Sequence, residues 1–386
     1  MNMNERIAAW NEEAQNCNCG HDHRLVQMQV YLEHRAIQRL PGYLSEQGYR
    51  HVTVVYDRFT GPAAGHEVVK NIREAGIHVD EICMPENKAG DVIADEGGIM
   101  QVLLGVRQGS QAIIAAGSGT IHDLVRFVCS KMNKPFLSVP TAASVDGFTS
   151  AGAPLIVSGV KQTFQAVPPE AIFADIDILE QAPQEMNAAG FGDMLGKYTS
   201  LADWVVSRDL GGEPFCPVAY RMTEEALTTC VEHVQGIAEG RADGVTVLMD
   251  ALIASGISML IIDHSRPASG GEHHLSHRWE MDLMEAGHKP VLHGAKVGVA
   301  CALLTVKYKD LAQKSDEPVF RVYHNLPDAS QLTAWLEQVG GPTTTEQLGV
   351  SMEMVEHAFN TAHLLRDRYT GLKYINEILN VGSNYG

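Results

Sequence analysis

The sequence predicts a two-part fold: an α/β half on a parallel sheet, followed by an all-helical half, with the change near residue 180. Three observations predict it. From Arg50 onward, short β-branched runs alternate with segments of helical length. A glycine-rich turn after one of these runs feeds an amphipathic segment. After about Glu180 strand signals stop, and only helical patterns follow. At 386 residues the chain can bury a core in each half, which sets the expected domains at 1–180 and 181–386 with a cleft between them.

The elements follow in order. HVTVVYD (51–57) reads as a strand ending in an acid, PAAGHEVVKNIREAG (62–76) as a helix, and IHVDEICM (77–84) as a second strand. A helix covers about 95–107, and QAIIAAG (111–117) is a buried strand. Strands alternating with helices at these lengths make a parallel sheet, which binds ligands at the carboxyl ends of its strands. There stand Gly117, Ser118, Gly119 and Thr120, followed by Ile121, Leu124, Val125, Val128 and Met132 on one helical face. Free N–H groups at such a helix start, with the dipole behind them, suit a pyrophosphate. The turn lacks the full G-x-G-x-x-G, and two glycines between strand and helix often make only a turn. Asp57 is placed to hold an adenosine ribose.

FLSVP is a short buried strand, and the loop TAASVDGFTSAGAPL (141–155) crowds Thr141, Ser144, Asp146, Thr149 and Ser150 beside glycines. With one acid and no base, it suits contact with a ligand better than an ordinary surface. A hairpin and a last strand come next, then helices at about 181–209, 217–239, 243–262 and 293–313.

The segment from Gly271 to His293 contains His273, His274, His277, His288 and His293. On a helix His273 and His277 share a face, and His293 returns from a second helix after a Gly/Pro-containing turn. Two imidazoles make half a metal site. A catalytic divalent ion with an open position takes three protein ligands, and Asp193 in GFGDMLGKYTS is the best candidate carboxylate.

Composition narrows the partners. The net charge is -18 with no Lys/Arg run, which excludes nucleic acid and anionic membrane surfaces. An anionic substrate then needs local cations, and Lys161, Lys197, Arg266 and Lys296 are candidates among which spacing does not select. Seven scattered cysteines suit reduced thiols in the cytoplasm. The N-terminus has no signal-peptide pattern, and the longest apolar run, Val245 to Ile262, is interrupted by Asp250, Ser255, Gly256 and Ser258, so no membrane insertion is expected. In NCNCGHDH, the residues Cys17, Cys19, His21 and His23 stand too close together for the usual zinc patterns, and a structural loop is the expected reading.

GSGTIHD, SVPTAASVDGFTS, GFGDMLGKYTS, SRPASGGEHHLSH and VLHG, in this order over about residues 50–310, resemble the sn-glycerol-1-phosphate dehydrogenases, bacterial members included. These belong to the wider superfamily of dehydroquinate synthase, glycerol dehydrogenase and iron-containing alcohol dehydrogenase. The resemblance implies a Rossmann-like sheet domain joined to an all-α domain in the dehydroquinate synthase-like manner. It implies a divalent ion, zinc or nickel, on Asp193, His273 and His293, with catalytic and substrate-facing roles for His277, Asp146 and Asp193. NAD(H) or NADP(H) would lie over Asp57, over Gly117, Ser118, Gly119, Thr120, Ile121, His122 and Asp123, and over Thr141, Ala142, Ala143, Ser144 and Ser150. His274 matches no ligand. Iron-dependent relatives carry D-x-x-x-H, whereas Lys197 stands four residues after Asp193 here; dehydroquinate synthases use a glutamate ligand and a different histidine motif. The implied reaction is reversible reduction of dihydroxyacetone phosphate to sn-glycerol-1-phosphate, a step toward phospholipid biosynthesis, by a homodimer or larger assembly whose contact could be the 245–262 helix. A glycerol or polyol dehydrogenase, and a non-catalytic nucleotide-binding protein, are the alternatives.

Overall fold

The computed structural model describes residues 1–87 and 90–379. Helix α1 (Met3–Gln15) opens the chain under a capping box, in which Asn2 and Glu5 each satisfy the other's backbone N–H. Its buried residues Met3, Ile7, Trp10 and Ala14 recur at helical spacing and join the core of the helical half, while Asn4 exchanges two hydrogen bonds of 2.8 Å with the backbone of Val30 and so ties the first turn to the edge of the sheet. The strand β1 (Gln29–Glu33) follows, then α2 (Leu40–Glu46), β2 (His51–Tyr56), α3 (His66–Glu74), β3 (His78–Cys83), α4 (Glu96–Gly105), β4 (Ala112–Gly117), α5 (Gly119–Met132) and β5 (Phe136–Pro140). A hairpin, β6 (Gly152–Val157) and β7 (Val160–Gln165), leads to β8 (Ala171–Asp175).

Six strands form one sheet in the order β1-β8-β5-β4-β2-β3, and every pair is parallel. The alternation expected from Arg50 onward is observed; β1 lies outside it. QVYLE was not recognised because it is a short, partly exposed edge strand without clear alternation. Side chains of β2 divide by parity. Val52 and Val54 face Leu40, Val68 and Ile72 of α2 and α3, whereas Val55 faces Val102 of α4 and Leu124 of α5. The sheet is therefore covered on both faces, as an all-parallel sheet requires. β2 pairs with β3 on one side and β4 on the other, so the winding reverses between β2 and β4, and a crevice opens there beyond their carboxyl ends.

After α6 (Ile176–Leu179) the chain is helical: α7 (Gln184–Leu195), α8 (Lys197–Asp209), α9 (Pro217–Glu232), α10 (Val234–Ala238), α11 (Ala242–Ile262), α12 (Gly271–Glu285), α13 (His293–Lys314), α14 (Ala329–Gln338), α15 (Met352–Thr361) and α16 (Gly371–Tyr374). The predicted 181–209 helix is two helices that meet at Gly196, and 217–239 divides at His233. α11 corrects one expectation. It is long and apolar enough to cross a membrane, yet Val245, Leu248, Leu252, Ile257 and Ile261 are fully buried in the protein's own core. Those side chains are not available as a contact between subunits.

Candidate active site

Close backbone packing assembles the site. A Cβ on Gly192 would stand 2.4 Å from the Gly294 carbonyl oxygen, and one on Gly294 only 1.8 Å from that of Ala189. Only glycine lets α7 and α13 approach this closely, and the contact lies beside Asp193 and His293. α12 brings His273 and His277 up to the same point, with His273–His293 ring centroids 5.1 Å apart and His277–His293 centroids 5.6 Å apart. Ligand atoms of Asp193, His273 and His293 all lie within 4.8 Å of one another. The three residues singled out in the sequence thus converge, with His273 Nε2 3.7 Å from Asp193 Oδ1.

Glu272 fixes the histidine's tautomer. Its Oε1 accepts from His273 Nδ1 at 2.7 Å and from Gly270 N at 2.7 Å, and Thr199 donates to Oε2 at 2.7 Å. With Nδ1 donating to a carboxylate, Nε2 offers its lone pair toward Asp193, as in carboxylate–histidine–metal relays. Burial pushes the Glu272 carboxyl up to about 7. Burial also holds His273 and His277 well below the usual imidazole range, and His293 at about 3 with Lys161 and Lys296 adding to the effect. All three imidazoles are therefore neutral at physiological pH, the form a metal requires.

Lys197 stands four residues after Asp193, just past the junction of α7 and α8. Its buried ammonium donates to Asp193 Oδ1 at 3.0 Å and to the Ala268 carbonyl at 3.1 Å, and it pairs with Asp146 Oδ2 at 2.8 Å. Asp146 N donates to Asp193 Oδ2 at 3.0 Å, and Ser255 donates to Asp146 Oδ2 at 2.9 Å. The loop of residues 141–150 is thereby joined to α7. Of the other cations considered, Lys161 and Lys296 share Glu280, at 2.7 and 3.8 Å, and hold its carboxyl at about 2 despite burial. Arg266 is paired with Glu213 and stands near His264 and Arg368, apart from the histidine cluster. The sequence reading missed Arg366, which donates to His277 Nε2 at 3.1 Å and to Ser269 Oγ at 3.3 Å. Among the described residues no carboxylate lies within ion-pair distance of it. It comes from a short turn far along the chain, where spacing carries no signal. His274 is fully buried on another face, and neither of its ring nitrogens has a partner among the described residues.

At the carboxyl ends of the strands lies a cleft of about 780 Å³, lined by Asp57, Ser118, Thr141 and Ala142 on the sheet side and by Glu185 and Met186 of α7 opposite. One oxygen of Asp57 accepts from Phe59 N and Thr60 N, both at 2.8 Å, which sets its turn. Ile121, His122 and Ala143 are buried and do not line the cleft. His122 accepts from Ser138 at 2.7 Å and donates to the Ser118 carbonyl at 2.9 Å, so it braces the glycine turn from below, and burial holds it at about 3. Asp123 is pushed up to about 7 by burial beside Arg126. Arg126, also unforeseen, donates to the Gly147, Phe148 and Gly152 carbonyls and pins the loop that carries Asp146 and Ser150.

The model for iron-containing alcohol dehydrogenases matches residues 31–183. Over 97% of its length the chain is 48% identical to a glycerol-1-phosphate dehydrogenase [NAD(P)+] of Bacillus licheniformis, of which it covers 95%. The chain belongs to the glycerol-1-phosphate dehydrogenase family. The Bacillus subtilis member is likewise 48% identical, over 90% of this chain and 91% of its own length. Among solved structures, glycerol dehydrogenase from Schizosaccharomyces pombe superposes with a TM-score of 0.69 at 18% identity, covering 89% of this chain and 83% of that one. That likeness establishes the fold: a parallel-sheet half and a helical half facing each other across a cleft.

Proposed function

We propose that this chain interconverts dihydroxyacetone phosphate and sn-glycerol-1-phosphate with NAD(H) or NADP(H), using one divalent ion, zinc or nickel, on Asp193, His273 and His293. The observation that carries the reading is the convergence of those three ligands, one of them on the same helix α7 that lines the cleft, in a chain whose relatives bear the name glycerol-1-phosphate dehydrogenase over nearly their full length. The donor set fits such an ion. His273 Nε2 is aimed by Glu272, and Asp193 Oδ1 keeps a lone pair beyond the one Lys197 uses. When bound, the ion supplies Lewis acidity toward a carbonyl oxygen, and the nicotinamide gives or takes hydride.

The chain's own residues supply the rest. Lys197 offsets two buried carboxylates and leaves a set of three protein ligands, which preserves room for substrate. His277 accepts from Arg366 at Nε2, so its proton resides on Nδ1 and the ring stays neutral. A neutral imidazole is a poor source of a full proton but a good donor to a substrate oxygen, which favours an orienting role. Arg366 is the candidate for the phosphate. A guanidinium this deep without a carboxylate is costly to bury until an anion joins it. Asp57 favours an unphosphorylated ribose, and the backbone N–H groups at the start of α5 suit the pyrophosphate.

Seven free cysteines support a cytoplasmic setting. A homodimer and a place in phospholipid biosynthesis complete the proposal. Elemental analysis of the purified chain and an NADH-oxidation assay on dihydroxyacetone phosphate test it. Equal rates on dihydroxyacetone and its phosphate would defeat the choice of substrate in favour of a polyol dehydrogenase.

A further inference from the structure

The loop after α1 carries Cys17, Cys19 and His23, and the fold brings to them Cys216, the N-cap residue of α9, which is 193 residues beyond His23. The three sulfurs and one imidazole nitrogen all lie within 4.8 Å of one another. His23 Nε2 is 3.4 Å from Cys19 Sγ and 3.3 Å from Cys216 Sγ. Tetrahedral zinc, with Zn–S near 2.3 Å and Zn–N near 2.0 Å, requires N···S edges of about 3.5 Å. Both observed edges match that figure.

Hydrogen bonding accounts for the cluster less well. A ring nitrogen offers one in-plane direction, as a lone pair or as N–H, and can serve one sulfur well. Here two sulfurs are equally close to Nε2 and a third is near, an arrangement that surrounds a point between them. Cys216 is fully buried, while Cys17 and Cys19 pack partly buried against the core of the helical half. Gly20, at a φ of +83, turns the chain between Cys19 and His23 in a conformation that other residues rarely adopt. The segment is also fixed beyond the cluster, where Arg24 N donates to the Ile261 carbonyl at 2.9 Å and the Arg24 side chain pairs with Asp263 at 2.6 Å.

We propose that Cys17, Cys19, His23 and Cys216 form a second metal site, a closed Cys₃His centre for zinc or a similar thiophilic divalent ion, which fastens the N-terminal arm to the helical half. Four protein ligands fill a tetrahedral shell and leave no position for substrate, so the role is structural. Three thiolates select a softer ion than the Asp193–His273–His293 set does. The spacing of NCNCGHDH alone leads to the expectation of a structural loop, and the proposal departs from it. The close spacing in NCNCGHDH lacks only a distant partner, and Cys216 provides it.

Cobalt(II) tests the proposal on the full-length reduced chain. The candidate active site has only nitrogen and oxygen donors, so thiolate-to-cobalt charge transfer reports the cysteine site alone. The expected result is one such cobalt per chain, displaced by zinc, with Cys19→Ser and His23→Gln each weakening affinity about tenfold or more while turnover persists. Cys216 is in the core and its variant could misfold; the two loop variants avoid that ambiguity. A folded, reduced wild type without the charge-transfer band would overturn the proposal. So would a band of unchanged strength and affinity in both variants, or a Cys17–Cys19 disulfide in protein purified under reducing conditions.

Discussion

The sheet's cleft and the histidine cluster present different kinds of surface. At the cleft, the start of α5 offers free backbone N–H groups beside Ser118, and the lining side chains come from many separate turns and loops. At the cluster the groups are side chains from α7, α12 and α13, each fixed by a specific neighbour. A site spread over many segments and a helix start tolerates substitution of single side chains around it. A site made of three convergent side chains does not.

The sharpest test of that contrast is His293→Ala. It should abolish stoichiometric metal at the active site and lower kcat/KM on the order of a thousandfold, several kcal/mol of transition-state stabilisation. A fully active variant would remove the cluster from the chemistry. Gly294→Ala comes next: the added methyl meets the Ala189 carbonyl, and a loss of about 3 kcal/mol in urea unfolding is expected. Arg366→Ala should cost about 2 kcal/mol, roughly thirtyfold in kcat/KM on the phosphorylated substrate, with little change on dihydroxyacetone. Equal losses on both would assign Arg366 to the positioning of His277 instead. On the cleft side, Asp57→Asn should shift the NAD-to-NADP preference only several-fold, measured as a ratio of kcat/KM.

One further effect concerns pH. His122 is held at about 3 in the fold, whereas an unfolded imidazole titrates near 6.5. Between those values the unfolded chain binds the extra proton, so stability is complete above about pH 6.5 and falls as pH drops. The contribution lost by about pH 5 is roughly 2 kcal/mol. His122→Gln should flatten that part of the stability-against-pH curve; an unchanged slope would show that another group dominates it.

Legibility divided along similar lines. β2 to β5 and the glycine turn are readable because alternation and turn residues are local signals; the first strand of the hairpin, β6, falls largely within the 141–155 stretch that reads as a loop. Asp193, His273, His277 and His293 were readable as ligand types at helical spacing, and family resemblance ordered them. Glu272 was not: adjacent residues on a helix point apart, so nothing in sequence announces that its carboxylate curls back onto His273. Arg366 and Cys216 were hidden for another reason. Each acts only after distant segments pack, and β1 escaped because a short edge strand lacks periodicity.

The Lys197 ammonium, set between Asp146 and Asp193, has a bearing on how the enzyme matures. Two carboxylates without a counter-charge would repel each other and open the pocket before any cofactor came. With an internal cation already in place, this pocket can reach its final shape before its ion arrives and be charged afterwards. Supply of that ion should therefore govern how many molecules turn over substrate, and leave the shape of this pocket unchanged.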